Sequence, residues 1–342
     1  MIPPAKIKFS DKLTEESVTC KDKIYGGGQM DINKLAERIF SDFGLKIETA
    51  VRAGGWTNAV WYNQDIVLRL SLAENSNKIR REVQLSELLG NKIGYPSNIA
   101  TGVIEGYEWS ISQRIEGVSL SEVWTELSWK ERTLAAKQLW DIIKEVHSVE
   151  IGQAQSLSSK TPWYNALDKE ETTSRFKYYI EKGIFTPKEG STMLEVLAQF
   201  WDAFALAKPV LNHGDITKDN ILWNDGKIVS LLDFEHSVIA PAAVDLNSYI
   251  NLLIFDNDIY IGESNDTEFQ HYKLEIKKLL CSHLESNSSK YLLSGIAILY
   301  YQKFLEFWLE EQTESLEDYF AYKRLISFTK HPAGYFSEIF EW

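Results

Sequence analysis

The chain has 342 residues, and its 36 Lys and Arg against 49 Asp and Glu give a formal net charge of −13. That length suggests two domains or one two-lobed unit, and a composition 44% hydrophobic and 25% charged argues against global disorder. The acidic balance disfavours nucleic acid, whose phosphate backbone needs an excess of Lys and Arg.

The start, MIPPAKIKFSDKLTEES, has no apolar run of a secretory signal, and no stretch approaches the ~18 apolar residues of a spanning helix. Cys20 and Cys281 make neither a disulfide framework nor a zinc motif. The expectation is a soluble cytoplasmic protein with reduced thiols and no membrane partner.

Residues 1–30, with Gly26-Gly27-Gly28, read as a polar leader of unassigned structure. From Asp31 the spacing of Ile32, Leu35, Ile39, Phe40 and Phe43 predicts a helix that Asp31 caps and Gly44 ends. KIETAVRA, Gly54-Gly55, NAVWYN, a turn at Gln64-Asp65 and IVLRLS predict a glycine-linked hairpin and a third strand. Residues 74–89 return to helical spacing, and ATGVIE and YEWSISQRI add two strands before Gly117. Helical patterns then cover 119–147, 187–206 and much of 243–330, interrupted by VLNHGDITKDNILW and KIVSLLDFE. Strands first and helices later predict an α+β fold, with a lobe of residues 31–117 and a second of 118–342.

Chemistry concentrates in His213-Gly214-Asp215, four further residues, Asn220, and then Asp233-Phe234-Glu235 after the strand IVSLL. An Asp that takes a hydroxyl proton, and an Asn and a second Asp that hold Mg²⁺, form the constellation phosphoryl transfer from a nucleotide requires. Either segment alone would also suit an ordinary polar turn. Gly54-Gly55-Trp56-Thr57-Asn58 could lie over phosphates or serve only as a hairpin turn. Arg69 on the next strand could contact those phosphates or be an exposed strand cation, and Glu82 on the next helix could pair with it or lie at the surface.

These residues resemble the aminoglycoside phosphotransferase and choline kinase family, with HGDITKDNILW and LLDFEHS as anchors. The resemblance implies a two-lobed protein-kinase-like fold, with an antiparallel sheet in the small lobe, a mainly helical large lobe and Mg²⁺-nucleotide between them. It implies Asp215 as the catalytic aspartate, Asn220 and Asp233 as Mg²⁺ ligands, and Arg69 with its partner Glu82 at the phosphates. Gly54, Gly55, Thr57 and Asn58 would complete the nucleotide site. The segment Ile111 to Gly117, including Gln113 and Ile115, would be the hinge whose backbone holds the base of ATP or GTP. His213, Glu235 and Asp245 would support these groups, Asp245 equally fitting a helix N-cap. Glu235 stands where protein kinases have Gly, and no long activation loop follows, which favours a small-molecule acceptor.

For that acceptor, the acidic runs at Asp256–Glu268 and Glu306–Asp318 suggest a polycation such as an aminoglycoside, although single acidic runs are commonly solvated helix faces. Tyr291, Tyr300, Tyr301, Phe304, Phe307, Trp308, Tyr319, Phe320 and Tyr322 suggest a cage for an amino alcohol such as choline or ethanolamine, or a core stripe. A kinase-like module without activity is the reading from another class. The sequence leaves the oligomeric state open.

Overall fold

The structure is a computed structural model that describes residues 31–55, 57–159, 162, 167–254, 267–284, 287–311, 315–338 and 340. The leader, Trp56 and the acidic positions Asp256, Asp258, Glu263, Asp266 and Glu314 lie outside the described residues. Packing separates two compact units, the chain dividing after Glu126, after Lys218 and after Glu235. Residues Asp219–Glu235 thereby belong to the first unit.

In the first unit, helix α1 (Ile32–Asp42) begins where the Asp31 carboxylate accepts the amides of Asn33 at 3.1 Å and Lys34 at 3.4 Å. These bonds satisfy two of the donors that every helix start leaves unpaired. Its apolar stripe, Leu35, Ala36, Ile39 and Phe40, packs on Ala59, Trp61, Leu68, Leu70 and Ile111 of the sheet. Full burial of the leucine, isoleucine and phenylalanine side chains among these is worth roughly 1.5–3 kcal/mol each. The sheet is antiparallel throughout, in the order β1-β2-β3-β5-β4: β1 (Val51–Ala53), β2 (Asn58–Tyr62), β3 (Ile66–Glu74), β4 (Asn98–Ile104) and β5 (Tyr107–Gln113). Of KIETAVRA only the last three residues are strand; Ile47–Thr49 form a 3₁₀ turn.

Helix α2 (Lys78–Leu89) follows β3, packs on β5, and starts four residues later than its periodicity suggested. Two-residue β6 (Val118–Ser119) then pairs with β8 (Ile221–Asn224), which forms a hairpin with β9 (Lys227–Leu231). Short helix α3 (Leu120–Val123) packs on β6 and β8. That pairing carries the first unit past Gly117, to Glu126.

The second unit is mainly helical. The helix expected over 119–147 is broken, because Ser128 and Glu131 form a capping box that starts α4 (Trp129–His147) afresh. Helices α5 (Ile151–Ala154), α6 (Lys169–Glu181) and α7 (Pro187–Leu206) follow, the last capped by Thr186 and Glu189 with Pro187 in its first turn. Strand β7 (Pro209–Asn212) pairs antiparallel with β10 (Val238–Pro241). Helices α8 (Ala243–Ile254), α9 (Thr267–Leu284), α10 (Asn287–Glu311) and α11 (Phe320–Lys330) complete the unit, α10 packing on α7, α8 and α11. Among the described residues no helix is long and apolar enough to cross a membrane.

Candidate active site

Strand β3 places Arg69 on the sheet, and its guanidinium meets Glu82 of α2 at 2.7 Å and the Asp233 carboxylate at 3.1 Å. Burial alone would lower the pKa of Arg69, but Glu82 and Asp233 outweigh it and hold the cation charged. Glu82 is no surface residue: its side chain is 1% exposed. Its second oxygen accepts the amide of Phe234 at 3.0 Å and the hydroxyl of Tyr95.

Asp233 follows β9 with φ +67°, a left-handed backbone uncommon outside glycine and best tolerated by Asp and Asn. The amide of Leu232 donates to the carbonyl of Asn220 at 2.8 Å, so Asn220 and Asp233 leave adjacent strand ends of the β8–β9 hairpin. Together they bring one carboxamide and one carboxylate, oxygen donors of the hard kind that suit Mg²⁺, which usually keeps several waters and takes phosphate oxygens besides. Among the described residues no group of three or more His, Cys, Asp or Glu could hold a metal ion.

Glu235, 3% exposed, gathers the glycine turn and the start of α2. Its carboxylate accepts Thr57 Oγ1 at 3.1 Å and Asn58 Nδ2 at 3.4 Å, and faces Lys78 Nζ at 3.5 Å; its carbonyl accepts Arg81. Gly54 and Gly55 form the turn ahead of Thr57, and a Cβ on Gly55 would fall on the Asn58 carbonyl oxygen. On β5, Glu108 is also buried, with Arg80 Nε at 3.5 Å. Burial pushes its carboxyl up, against the pull of the Arg80 amide and guanidinium. At the expected hinge, the amide of Gln113 is committed to the Ser97 carbonyl at 2.9 Å and that of Arg114 to Asp65 at 2.8 Å. Ile115 comes next, where the chain leaves the sheet.

In the second unit, Asp215 follows β7. Its amide donates to His213 Nδ1 at 3.2 Å. Fully buried Asp245 accepts the amides of His213 at 2.8 Å and Gly214 at 2.9 Å, and pairs with His147 Nε2 at 3.0 Å. Asp245 is the third residue of α8, and its carboxylate serves this loop and not the helix start. Tyr300 of α10 lies within electrostatic reach of Asp215: burial first, then Tyr301 and the Asp215 carboxylate, push its hydroxyl up.

The acidic and aromatic expectations for α10 change in detail. Glu306 is neutralised by Arg175 and by Lys303 at 2.9 Å, so it is part of an internal charge network. With Glu171, Arg175, Tyr178, Tyr179 and Glu310 it lines a groove of about 600 Å³. Tyr300, Tyr301 and Phe304 pack ring against ring and, with Phe320 and Tyr335, form a half-buried aromatic cluster.

The sequence matches the phosphotransferase enzyme family over residues 48–270, more than half of the chain. The chain belongs to that family. This phosphotransferase is an enzyme, a small-molecule kinase, and the family and kinase-like fold expected from its two motifs are both found. The fold is similar to that of aminoglycoside 2'-phosphotransferase-IIIa in its GDP complex, at 15% identity and a TM-score of 0.61, covering 89% of this chain and 99% of the other. It is also similar to ADP-bound APH(2'')-Ib, at 17% identity and 0.57 over 87% and 98%. The GDP and kanamycin complex of APH(2")-IIIa gives 16% and 0.57 over 88% and 98%. No curated protein matches the sequence.

Sequence reasoning named Arg69, Glu82, Asn220 and Asp233, which the first unit gathers, and Asp215, His213 and Asp245, which the second gathers. It missed Tyr95, Glu108 and His147. Tyr95 lies outside any periodic segment, and no motif or spacing in the sequence marks Glu108 or His147.

Proposed function

We propose that the phosphotransferase moves the γ-phosphoryl group of Mg²⁺-bound ATP or GTP to a hydroxyl of a small cationic acceptor of the amino-sugar class. The observation that carries this is the cluster in which Asp233, in a left-handed backbone, is held by Arg69, itself fixed by Glu82, with Asn220 at the adjacent strand end. Arg69 would contact the phosphates, and Asn220 and Asp233 would hold Mg²⁺. The metal, when bound, neutralises charge on the phosphate oxygens as the bond breaks. Asp215 would accept the proton of the acceptor hydroxyl, oriented by the His213–Asp245 hydrogen bonds.

The nucleotide complexes of the similar structures, and kanamycin in one of them, support a nucleotide donor and an amino-sugar acceptor. The acidity of the chain, at −13, agrees with a cationic acceptor.

The test is diphosphate release from MgATP and MgGTP against a panel of aminoglycosides, other amino sugars and amino alcohols, with Asp215→Ala as control. Acceptor-dependent release that Asp215→Ala abolishes, with nucleotide affinity retained, is the expected result. Release driven by choline or ethanolamine alone would overturn the amino-sugar reading. Release that survives in Asp215→Ala would overturn the role given to Asp215.

A further inference from the structure

The Arg69–Glu82 pair has a third member that neither motif nor spacing announces. Tyr95 lies in the segment between α2 and β4, and its hydroxyl donates to the same Glu82 oxygen that accepts the Phe234 amide. Its ring meets the Phe234 ring edge-on, with centroids 5.7 Å apart and planes at 74°. Tyr95 therefore touches both sides of one junction: the carboxylate that fixes Arg69, and the residue that follows Asp233.

What brings it there is Gly94. The chain adopts φ +67° at this residue, and a Cβ would fall on the Val229 carbonyl oxygen of β9. Only glycine lets the segment cross β9 at that distance. The crossing delivers Tyr95 beside the residues that β9 leads into.

A carboxylate with a guanidinium on one oxygen and two hydrogen-bond donors on the other has its orientation fixed. Oxygen Oε2 faces Arg69 at 2.7 Å, while Oε1 takes the Phe234 amide and the Tyr95 hydroxyl. Without the hydroxyl, Oε1 keeps one donor, and the carboxylate is free to rotate away from Arg69. We propose that Tyr95 is a positioning residue of this phosphotransferase, holding Glu82 so that Arg69 presents its charge to the nucleotide phosphates. The proposal rests on the placing of Arg69 at those phosphates.

The experiment measures dissociation constants by calorimetry for MgATP and adenosine, and in parallel for MgGTP and guanosine. The proteins are wild type, Tyr95→Phe, Glu82→Gln, Arg69→Met and the Tyr95→Phe/Glu82→Gln double variant. Tyr95→Phe keeps the ring against Phe234 and removes only the hydroxyl. It is expected to weaken the triphosphate roughly tenfold, about 1.4 kcal/mol, and to change nucleoside binding less than about twofold. In the Glu82→Gln background it should add less than about twofold, because Tyr95 acts through Glu82. Equal weakening of triphosphate and nucleoside would mean general damage to the unit and would overturn the proposal. So would an unchanged triphosphate affinity in Tyr95→Phe while Arg69→Met and Glu82→Gln lose it, the placing of Arg69 then standing. If Arg69→Met itself binds triphosphate like wild type, that placing falls and the proposal falls with it.

Discussion

Replacing Asp245 by Asn keeps the shape of a side chain that accepts three hydrogen bonds in a fully buried site. The amide offers one acceptor oxygen, so one of the two backbone N–H groups of His213 and Gly214 would face an NH₂. A buried donor left unsatisfied costs about 1–3 kcal/mol. The remaining bond loses the part due to charge, about 1 kcal/mol. The sum, about 2–4 kcal/mol, lowers the melting temperature by about 2–4 °C per kcal/mol in a unit of 150–250 residues. A fall of about 10 °C is expected by scanning calorimetry. The Asp215 amide depends on His213 Nδ1, so turnover should fall further than stability alone requires. MgATP and MgGTP affinity should hold, because the Arg69–Asp233 cluster belongs to the other unit. A variant that melts within 2 °C of wild type would refute the reasoning, since the bonds would then carry no load.

Glu235→Ala removes the acceptor of Thr57, Asn58 and Lys78 and should lower stability by about 1–3 kcal/mol in urea titration, the cost of leaving buried polar donors unpaired. Lys78→Met leaves the buried Glu235 carboxylate without its lysine and should cost about as much or more; a loss under about 0.5 kcal/mol would mean that Lys78 does not compensate that charge. Glu108 gives a pH dependence. Its folded pKa is raised above the ordinary 4.5, so its contribution is fully present below that pH and lost as pH rises through the raised value. Melting curves of wild type minus Glu108→Gln should accordingly shift against wild type between about pH 4.5 and neutrality; a difference independent of pH would count against burial as the cause.

Much of this was readable from the sequence because the signals are local. Asp31, the stripe Leu35 to Phe40 and the glycine pair at 54–55 each act over a few residues. What escaped depends on pairing at long range. Tyr95 gains meaning only beside Phe234, and Glu108 only beside Arg80. Strand β10 was missed because its partner β7 lies across the whole HGD–DFE segment, and four residues carry no period of their own. The break in the helix over 119–147 was written in Ser128 and Glu131, but an apolar period that runs on through a cap masks it.

The assignment of Asp219–Glu235 to the first unit bears on synthesis as well as on chemistry. A chain emerging from the ribosome has made β1 to β6 long before it makes β8 and β9. Until then Val118 and Ser119 lack their strand partners, Gly94 has no β9 to cross, and the buried carboxylates of Glu82 and Glu108 sit in a unit still missing a piece. The intervening residues, Leu127–Lys218, belong to the other unit and are made first. The amino-terminal unit is therefore complete only once Glu235 has been made, when the first stretch of the other unit already exists, and its buried charge pairs are assembled late.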